Sequence, residues 1–161
     1  MNHRLGTAAL AGMLFCSPAL AADADADAQQ ALDDALSTYR EACVAPYYGA
    51  REPQAIVVEL AKNPERMGRL LESLANGAPQ NWRSLADRAL PLTQRLEAAL
   101  DLLGMAISHG TPGERLVAEA YSVELLPVPE GTGCKRPAGI DAFLSTANFW
   151  GAAGRAGDSA P

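Results

Sequence analysis

Two cysteines are the residues whose chemistry the sequence specifies best. Cys43 and Cys134 lie 91 positions apart, and they remain after removal of the leader segment described below, which contains Cys16. An even number of cysteines in an exported chain is typical of a disulfide, and two cysteines allow one intrachain pairing. No CxxC motif indicates redox catalysis. We therefore predict a structural Cys43–Cys134 disulfide; two free thiols, or a bond between chains, are the alternatives.

A second candidate for chemistry is His109, the one histidine outside the leader, with Met105 four positions before it. This spacing places both side chains on one face of a helix, where they could ligate copper or a haem iron. No CxxCH motif and no second histidine outside the leader support such a site. The favoured interpretation is that His109 interacts with the carbonyl groups at a helix end, and we predict no cofactor.

Sequence motifs of several other functional classes are absent. The chain has no GxSxG motif and no phosphate-binding loop of the P-loop or Rossmann type. A zinc site lacks ligands, since one histidine and a bonded cysteine pair leave only carboxylates. The Ala-Asp repeat at residues 22–27 lacks the glycine and the terminal glutamate of an EF-hand. The glutamates are predicted to lie on solvated helix faces: Glu59, Glu65, Glu72, Glu97, Glu114, Glu119 and Glu124.

Aromatic residues indicate where another molecule could bind. Tyr47 and Tyr48 are adjacent in a predicted turn, and Trp82 follows a predicted loop. Tyrosine and tryptophan are common anchors of protein interfaces, so these three are candidate interface residues. The alternative for the two tyrosines is that they cover one end of a helical bundle.

Length, composition and charge exclude several classes of protein. The chain has 161 residues, of which 48% are hydrophobic and 20% charged, which is typical of one globular domain and not of a disordered or fibrous chain. The net charge of −6, concentrated in aspartates near the amino end, argues against a nucleic-acid partner. No segment after the leader is apolar enough to span a membrane.

The leader, residues 1–21, has the features of a secretory signal peptide. Arg4 precedes an apolar run at residues 5–16, and Ala19-Leu20-Ala21 matches the small-x-small pattern that signal peptidase accepts. We predict cleavage between Ala21 and Ala22 and a periplasmic or secreted mature protein. The alternatives are a short membrane anchor and lipidation at Cys16, although bulky Phe15 stands where a lipoprotein signal has a small residue.

The elements that must position these residues are predicted to be helices. After a solvated lead-in at residues 22–27, helical spacing of apolar residues begins at Ala28 and ends near Ala45. Residues 91–108 form the longest predicted helix, with Arg95 off its apolar stripe. Residues 54–62 are predicted as a helix, although the β-branched run at 55–60 leaves a strand open. Short helices are expected at residues 82–89 and, capped by Asp141, at residues 142–150.

Two helix starts are specified by capping residues. Asn63-Pro64 combines a capping side chain with proline in the first helical turn, and Thr111-Pro112-Gly113-Glu114 has the pattern of a capping box. Asn76-Gly77 is a typical helix end.

Together these patterns predict an all-α fold, a small bundle of five or six helices closed by one disulfide. We expect a signal peptide at residues 1–21, a helical domain at 22–150 and a disordered tail at 151–161. No motif is specific enough to indicate a family. Because catalytic motifs are missing, the favoured function is binding of a protein partner in the cell envelope, as an accessory, inhibitor or immunity-type factor. The alternatives are a carrier of an apolar ligand in the bundle core and a hydrolase that uses His109.

Overall fold

The computed structural model describes residues 18–129, 131–145 and 150, with side chains from residue 26 onward. Within these residues the chain is all-helical, which confirms the predicted fold class. In chain order the elements are α1 (Pro18–Tyr39), a π-helical segment (Arg40–Val44), α2 (Ala45–Tyr48), α3 (Pro53–Leu60), α4 (Pro64–Ala75), a 3-10 segment (Gln80–Ala86), α5 (Leu92–His109), α6 (Pro112–Leu125) and α7 (Gly139–Leu144).

Helix α1 begins at Pro18, so the prediction of a solvated lead-in before Ala28 is wrong. Proline is compatible with the first turn of a helix, and alanine has the highest helix propensity of all residues. The Ala-Asp repeat therefore extends the helix toward the amino end.

The predicted helix end at Ala45 is also wrong, because the helical path continues to Tyr48. Pro46 has no N–H group, and its ring would clash with a carbonyl group in a regular α-helix. The chain accommodates this proline with a π-helical segment, in which the Ala45 N–H donates to the Arg40 carbonyl five residues earlier. Tyr47 and Tyr48 consequently lie in the last helical turn and not in a loop.

Residues 53–60 form a helix, which decides between the two structures left open for this segment. Val57 and Leu60 are buried against the core and Ile56 is half-buried, while Ala55 and Val58 are exposed. Leu60 follows Val57 by three positions and Ile56 by four, as on one helix face.

The predicted capping residues are confirmed. The Asn63 side chain accepts a hydrogen bond from the Arg66 N–H at 3.4 Å, and Thr111 Oγ1 accepts one from the Glu114 N–H at 3.2 Å. Gly77, directly after α4, has a φ of 76°, which glycine adopts without strain. These residues fix the start of α4, the end of α4 and the start of α6.

Helix α6 is the central element of the bundle and packs against α1, α4 and α5. Its residues from Leu116 to Val123 are all buried, so this part of the helix has no solvated face. The prediction that Glu119 and Glu124 lie on solvated faces is therefore wrong: Glu119 is 1% exposed, and the side chain of Glu124 is largely buried.

Arg95 was predicted to lie off the apolar stripe of α5, but the structure buries it. Its guanidinium group donates to the carbonyl groups of Leu85 and Leu90 at 3.3 and 3.2 Å, so it joins α5 to the segment before it. Hydrogen bonds of this kind satisfy a buried cation that lacks a carboxylate.

Trp82, a candidate interface residue in the sequence, is buried in the structure. It lies in the 3-10 segment, which replaces the short helix predicted at residues 82–89, and it is 2% exposed. Its ring meets that of Trp150 edge to face, with centroids 5.3 Å apart, and the Trp150 indole N–H donates to the Leu74 carbonyl at 2.7 Å. Trp82 is thus a core residue of this chain.

The predicted disulfide between Cys43 and Cys134 is confirmed. It joins the π-helical segment to the loop between α6 and α7, with the Cα atoms 6.1 Å apart. In the same loop Arg136 forms ion pairs with Glu124 and with Asp141. The last helix in the described range begins at Gly139, so Asp141 lies inside it and is not its cap.

Two predictions lie outside the described residues: the main part of the leader and the tail at residues 151–161. Among the helices that the structure describes, none is long and apolar enough to cross a membrane.

Candidate functional site

A surface groove of about 310 Å³ lies between α2, α3 and the start of α4 on one side and the segment after α6 on the other. Its walls and floor are formed by Tyr47, Tyr48, Ile56, Glu59, Leu60, Asn63, Arg66, Met67, Pro127, Val128 and Pro129. We call this the tyrosine groove. Two of the three candidate interface residues, Tyr47 and Tyr48, therefore lie together, and the third, Trp82, is not among the groove residues.

Tyr48 joins the two sides of the tyrosine groove. Its hydroxyl donates to the Pro127 carbonyl at 2.5 Å, across 79 positions of sequence. Burial raises the pKa of the Tyr48 phenol to about 12, and neighbouring Tyr47 and Glu59 add to the rise. The phenol is thus a stable hydrogen-bond donor at neutral pH.

Arg51 covers the tyrosine pair from the solvent side. Its guanidinium carbon lies 4.4 Å from the ring centroid of Tyr47 and 5.3 Å from that of Tyr48, which is cation–π geometry. Its Nη1 atom lies 2.6 Å from Glu59 Oε2. A hydrogen bond with Tyr47 is the main cause of a raised Arg51 pKa. These contacts fix the orientation of both rings.

The floor of the tyrosine groove is apolar and one rim is cationic. Leu60 and Met67 are buried core residues and Ile56 is half-buried. At the rim, Arg66 Nη2 donates to the Glu124 carbonyl at 2.8 Å. In the described part of the chain no carboxylate lies within ion-pair distance of Arg66. The groove thus offers an apolar surface beside a positive charge.

A wider and more open groove of about 660 Å³ lies between α4 and the 3-10 segment. Five of its seven lining residues are polar or charged, among them Arg69, Glu72 and Arg83. Arg88 Nη2 lies 2.6 Å from Glu72 Oε1, so these two side chains form an ion pair. Nothing in this groove resembles the fixed aromatic pair of the tyrosine groove.

A buried carboxyl group, Glu119, is the centre of a polar cluster between α1 and α6. Its Oε1 atom accepts hydrogen bonds from Ser37 Oγ at 3.1 Å and from Arg115 Nε at 3.0 Å, and Arg40 Nη1 lies 3.8 Å away. Arg115 also donates to Ser37 Oγ at 3.3 Å. The Oε2 atom of Glu119 is buried and has no hydrogen-bond donor.

Asp33 of α1 completes this cluster, within hydrogen-bonding reach of the Glu119 carboxyl. Its Oδ1 atom is also buried without a hydrogen-bond donor and lies 3.8 Å from Arg115 Nε. Burial, followed by the contact with Asp33, raises the pKa of Glu119 to about 7. Two carboxyl groups this close favour sharing one proton.

Met105 and His109 both lie on an exposed part of α5, at its carboxyl-terminal end. Met105 is 63% exposed, and no hydrogen bond or ion pair joins His109 to another described side chain. The described residues also contain no group of three or more His, Cys, Asp or Glu side chains that could hold a metal ion. Among the described side chains, none is therefore bonded to His109 as a catalytic triad would require.

Sequence reasoning identified the two tyrosines but missed Arg51, Arg66 and Glu119. The positions of the two arginines depend on contacts with α2 and α6, which no local pattern specifies. Glu119 had a detectable signal: it lies between Ala118 and Ala120 in a helix that is apolar on nearly every side. Chemically, the tyrosine groove can bind and orient a ligand, and it contains no paired nucleophile and base.

Comparison with protein-family models, curated proteins and solved structures found no match to this chain.

Proposed function

We propose that this protein binds another protein through the tyrosine groove, and that it acts as an accessory, inhibitor or immunity-type factor. The observation that carries the proposal is the tyrosine pair, whose rings are fixed by the bond from Tyr48 to Pro127 and by Arg51. Fixed aromatic rings bury a large area at a small cost in conformational entropy, so they are effective anchors.

The floor and the rim of the tyrosine groove support a partner of defined chemistry. Ile56, Leu60 and Met67 offer an apolar surface for one side chain. Arg66 offers a positive charge on a chain with a net charge of −6. Charge complementarity of this kind favours specific partners. The proposed ligand is therefore a segment of a partner protein that presents an apolar side chain next to a carboxylate.

Photo-crosslinking tests this proposal in the cells that make the protein. A photoreactive phenylalanine analogue replaces Tyr47, which preserves an aromatic ring at the groove. We expect one discrete crosslinked species with a second protein. The same analogue at exposed Glu97 of α5 is the control position and should give no such species.

The charge of the rim provides a matched pair of variants. Arg66→Gln, with the photoreactive residue at position 47, should reduce the crosslinked species about tenfold, since a charge-assisted hydrogen bond contributes about 1.5–3 kcal/mol. Arg69→Gln removes a charge from the same helix outside the groove and should leave the yield unchanged. Equal yields from positions 47 and 97, or an equal loss in both arginine variants, would contradict the proposal.

Export to the periplasm, with cleavage after Ala21, is part of the same proposal. Its support is the leader pattern and the Cys43–Cys134 disulfide, since disulfides persist in oxidising compartments. Intact-mass measurement of protein purified from its natural host, without reductant, should show an amino terminus at Ala22 and a mass lower by two hydrogen atoms for the bonded cysteines. A chain that retains residues 1–21 would refute this part.

A further inference from the structure

The Glu119–Asp33 carboxyl pair lies at the main contact between the first helix and the centre of the bundle. Every identified donor to Glu119 approaches Oε1, and they come from two elements: Ser37 belongs to α1 and Arg115 to α6. Glu119 Oε2 and Asp33 Oδ1 are both buried acceptors without a donor. When both groups are ionised, these two buried acceptors therefore lie in one cluster without a hydrogen bond, and Arg115 Nε, 3.8 Å from Asp33 Oδ1, is too distant to donate one.

One added proton changes this balance. A protonated carboxyl group is a hydrogen-bond donor, so it can bond to the other carboxylate and satisfy an acceptor on each side. It also removes one negative charge from a site where Glu119 is 1% exposed. Charge burial of this kind is costly unless it is fully paired.

The charged groups around the pair are on α1, the π-helical segment and α6. Asp33 and Asp34 come from α1, Arg40 from the π-helical segment and Arg115 from α6. The arginines of α4 and α5 that bond to carbonyl groups lie elsewhere. Arg66 donates to the Glu124 carbonyl, and Arg95 donates to the Leu85 and Leu90 carbonyl groups. Arg115 Nε already donates to Glu119 Oε1 and lies 3.8 Å from Asp33 Oδ1, so Asp33 has an ion-pair contact with Arg115 but no hydrogen-bond donor at this oxygen.

We propose that the Glu119–Asp33 pair is a proton-dependent clasp, in which one shared proton holds α1 against α6 in mildly acidic solution and its loss above neutral pH loosens α1. The disulfide at Cys43 fixes the chain just after α1. The loosening is therefore confined to the part of α1 before the π-helical segment. This places a pH-sensitive contact on the face of the bundle formed by α1, independently of the tyrosine groove.

Amide hydrogen exchange of the full, disulfide-bonded chain at pH 5 and pH 8 tests the clasp, with rates corrected for intrinsic exchange. We expect protection of residues 33–39 to fall at least about tenfold at pH 8, as a shift of one pKa unit or more implies. Protection in α5 should stay nearly constant. An unchanged α1, or an equal loss in α5, would overturn the proposal.

Two variants separate the effect of the shared proton from a general effect of pH on the protection of α1. Glu119→Gln keeps the shape and supplies a permanent N–H donor toward Asp33, so α1 should be protected equally at both pH values. Glu97→Gln, on the exposed face of α5, should retain the wild-type difference. Asp33→Asn provides the same donor from the other partner if Glu119→Gln fails to fold. A pH difference of wild-type size in a folded Glu119→Gln or Asp33→Asn protein would overturn the proposal.

Discussion

At the scale of single residues, burial decides what a side chain does. Glu97 and Glu119 are the same residue type in neighbouring helices, yet Glu97 is exposed and Glu119 is buried, with 1% of its surface accessible. Burial raises the pKa of Glu119, and its carboxylate accepts hydrogen bonds from Ser37 of α1 and Arg115 of α6. The chemistry of this protein thus follows from packing and not from the residue list.

Glu119 makes the stability of the protein depend on pH in a direction opposite to that of most carboxylates. Its pKa is about 7 in the folded state against an ordinary value of 4.5, so the folded state binds more protons than the unfolded state between these values. By linkage, the contribution of this group to the free energy of unfolding is fully present below pH 4.5 and is lost as the pH rises toward 7. Urea denaturation at several pH values measures this slope. Glu119→Gln should flatten it, whereas Glu97→Gln should not.

Tyr48→Phe tests the bond that joins the two sides of the tyrosine groove. The variant loses the hydrogen bond to Pro127, so the free energy of unfolding should fall by about 1 kcal/mol. An absorbance titration should also lose a phenol that ionises near pH 12. Tyr39→Phe is the matched control, because no hydrogen bond involving the Tyr39 hydroxyl is present among the described residues. A similar loss in both variants would contradict the assigned role of Tyr48.

Trp82→Ala distinguishes a core role from an interface role for this tryptophan. Because Trp82 is buried against Trp150, its truncation leaves a cavity and should lower the free energy of unfolding by about 3–5 kcal/mol. Chemical denaturation measures the loss. Crosslinking through position 47 should persist wherever the variant remains folded. Loss of the crosslink in a folded variant would indicate that Trp82 has an interface role.

At the scale of elements, helix ends and one proline determine where the side chains point. The π-helical segment before Pro46 adds one residue to a turn and so rotates the residues that follow it. That rotation is part of the reason why Tyr47 and Tyr48 reach the groove. A helix that ended at Ala45, as the proline pattern predicts, would not have placed them there as a helical pair.

Thr111→Ala tests the capping box of α6, the central helix. The threonine side chain accepts a hydrogen bond from the Glu114 N–H, and its loss should reduce the free energy of unfolding by about 1 kcal/mol. Thr93→Ala removes a hydroxyl from the exposed first turn of α5 and should change stability by much less. Thermal or urea denaturation of the two variants in parallel gives the comparison. Equal effects would mean that the cap is not stabilising.

At the scale of the whole molecule, the disulfide closes the bundle across 91 residues of sequence. A loop of this length is expected to stabilise the folded chain by about 4–5 kcal/mol through the entropy of the unfolded state. Reduction, or the paired change Cys43→Ser and Cys134→Ser, should therefore lower the Tm by about 10–20 °C in calorimetry. An unchanged Tm in reductant would show that the bond contributes little.

What the sequence determined by itself was the class of fold, most of its boundaries and its covalent link. Helical periodicity, the caps at Asn63 and Thr111, and the cysteine count all depend on neighbours in sequence or on simple arithmetic, so they can be read without coordinates. The two tyrosines were identified by type, although their position in a helix was not.

Only the tertiary structure decided which polar residues are buried and which surfaces meet. Glu119 was expected on a solvated face, Arg95 off the apolar stripe of its helix and Trp82 at an interface. A helical pattern shows one apolar face, but it cannot show that other elements cover the remaining faces. Helix α6 is enclosed by α5, which directly precedes it, and by α1 and α4, which come from more distant parts of the chain. The tyrosine groove and the carboxyl clasp arise from such long-range packing, and therefore no local pattern in the sequence could specify them.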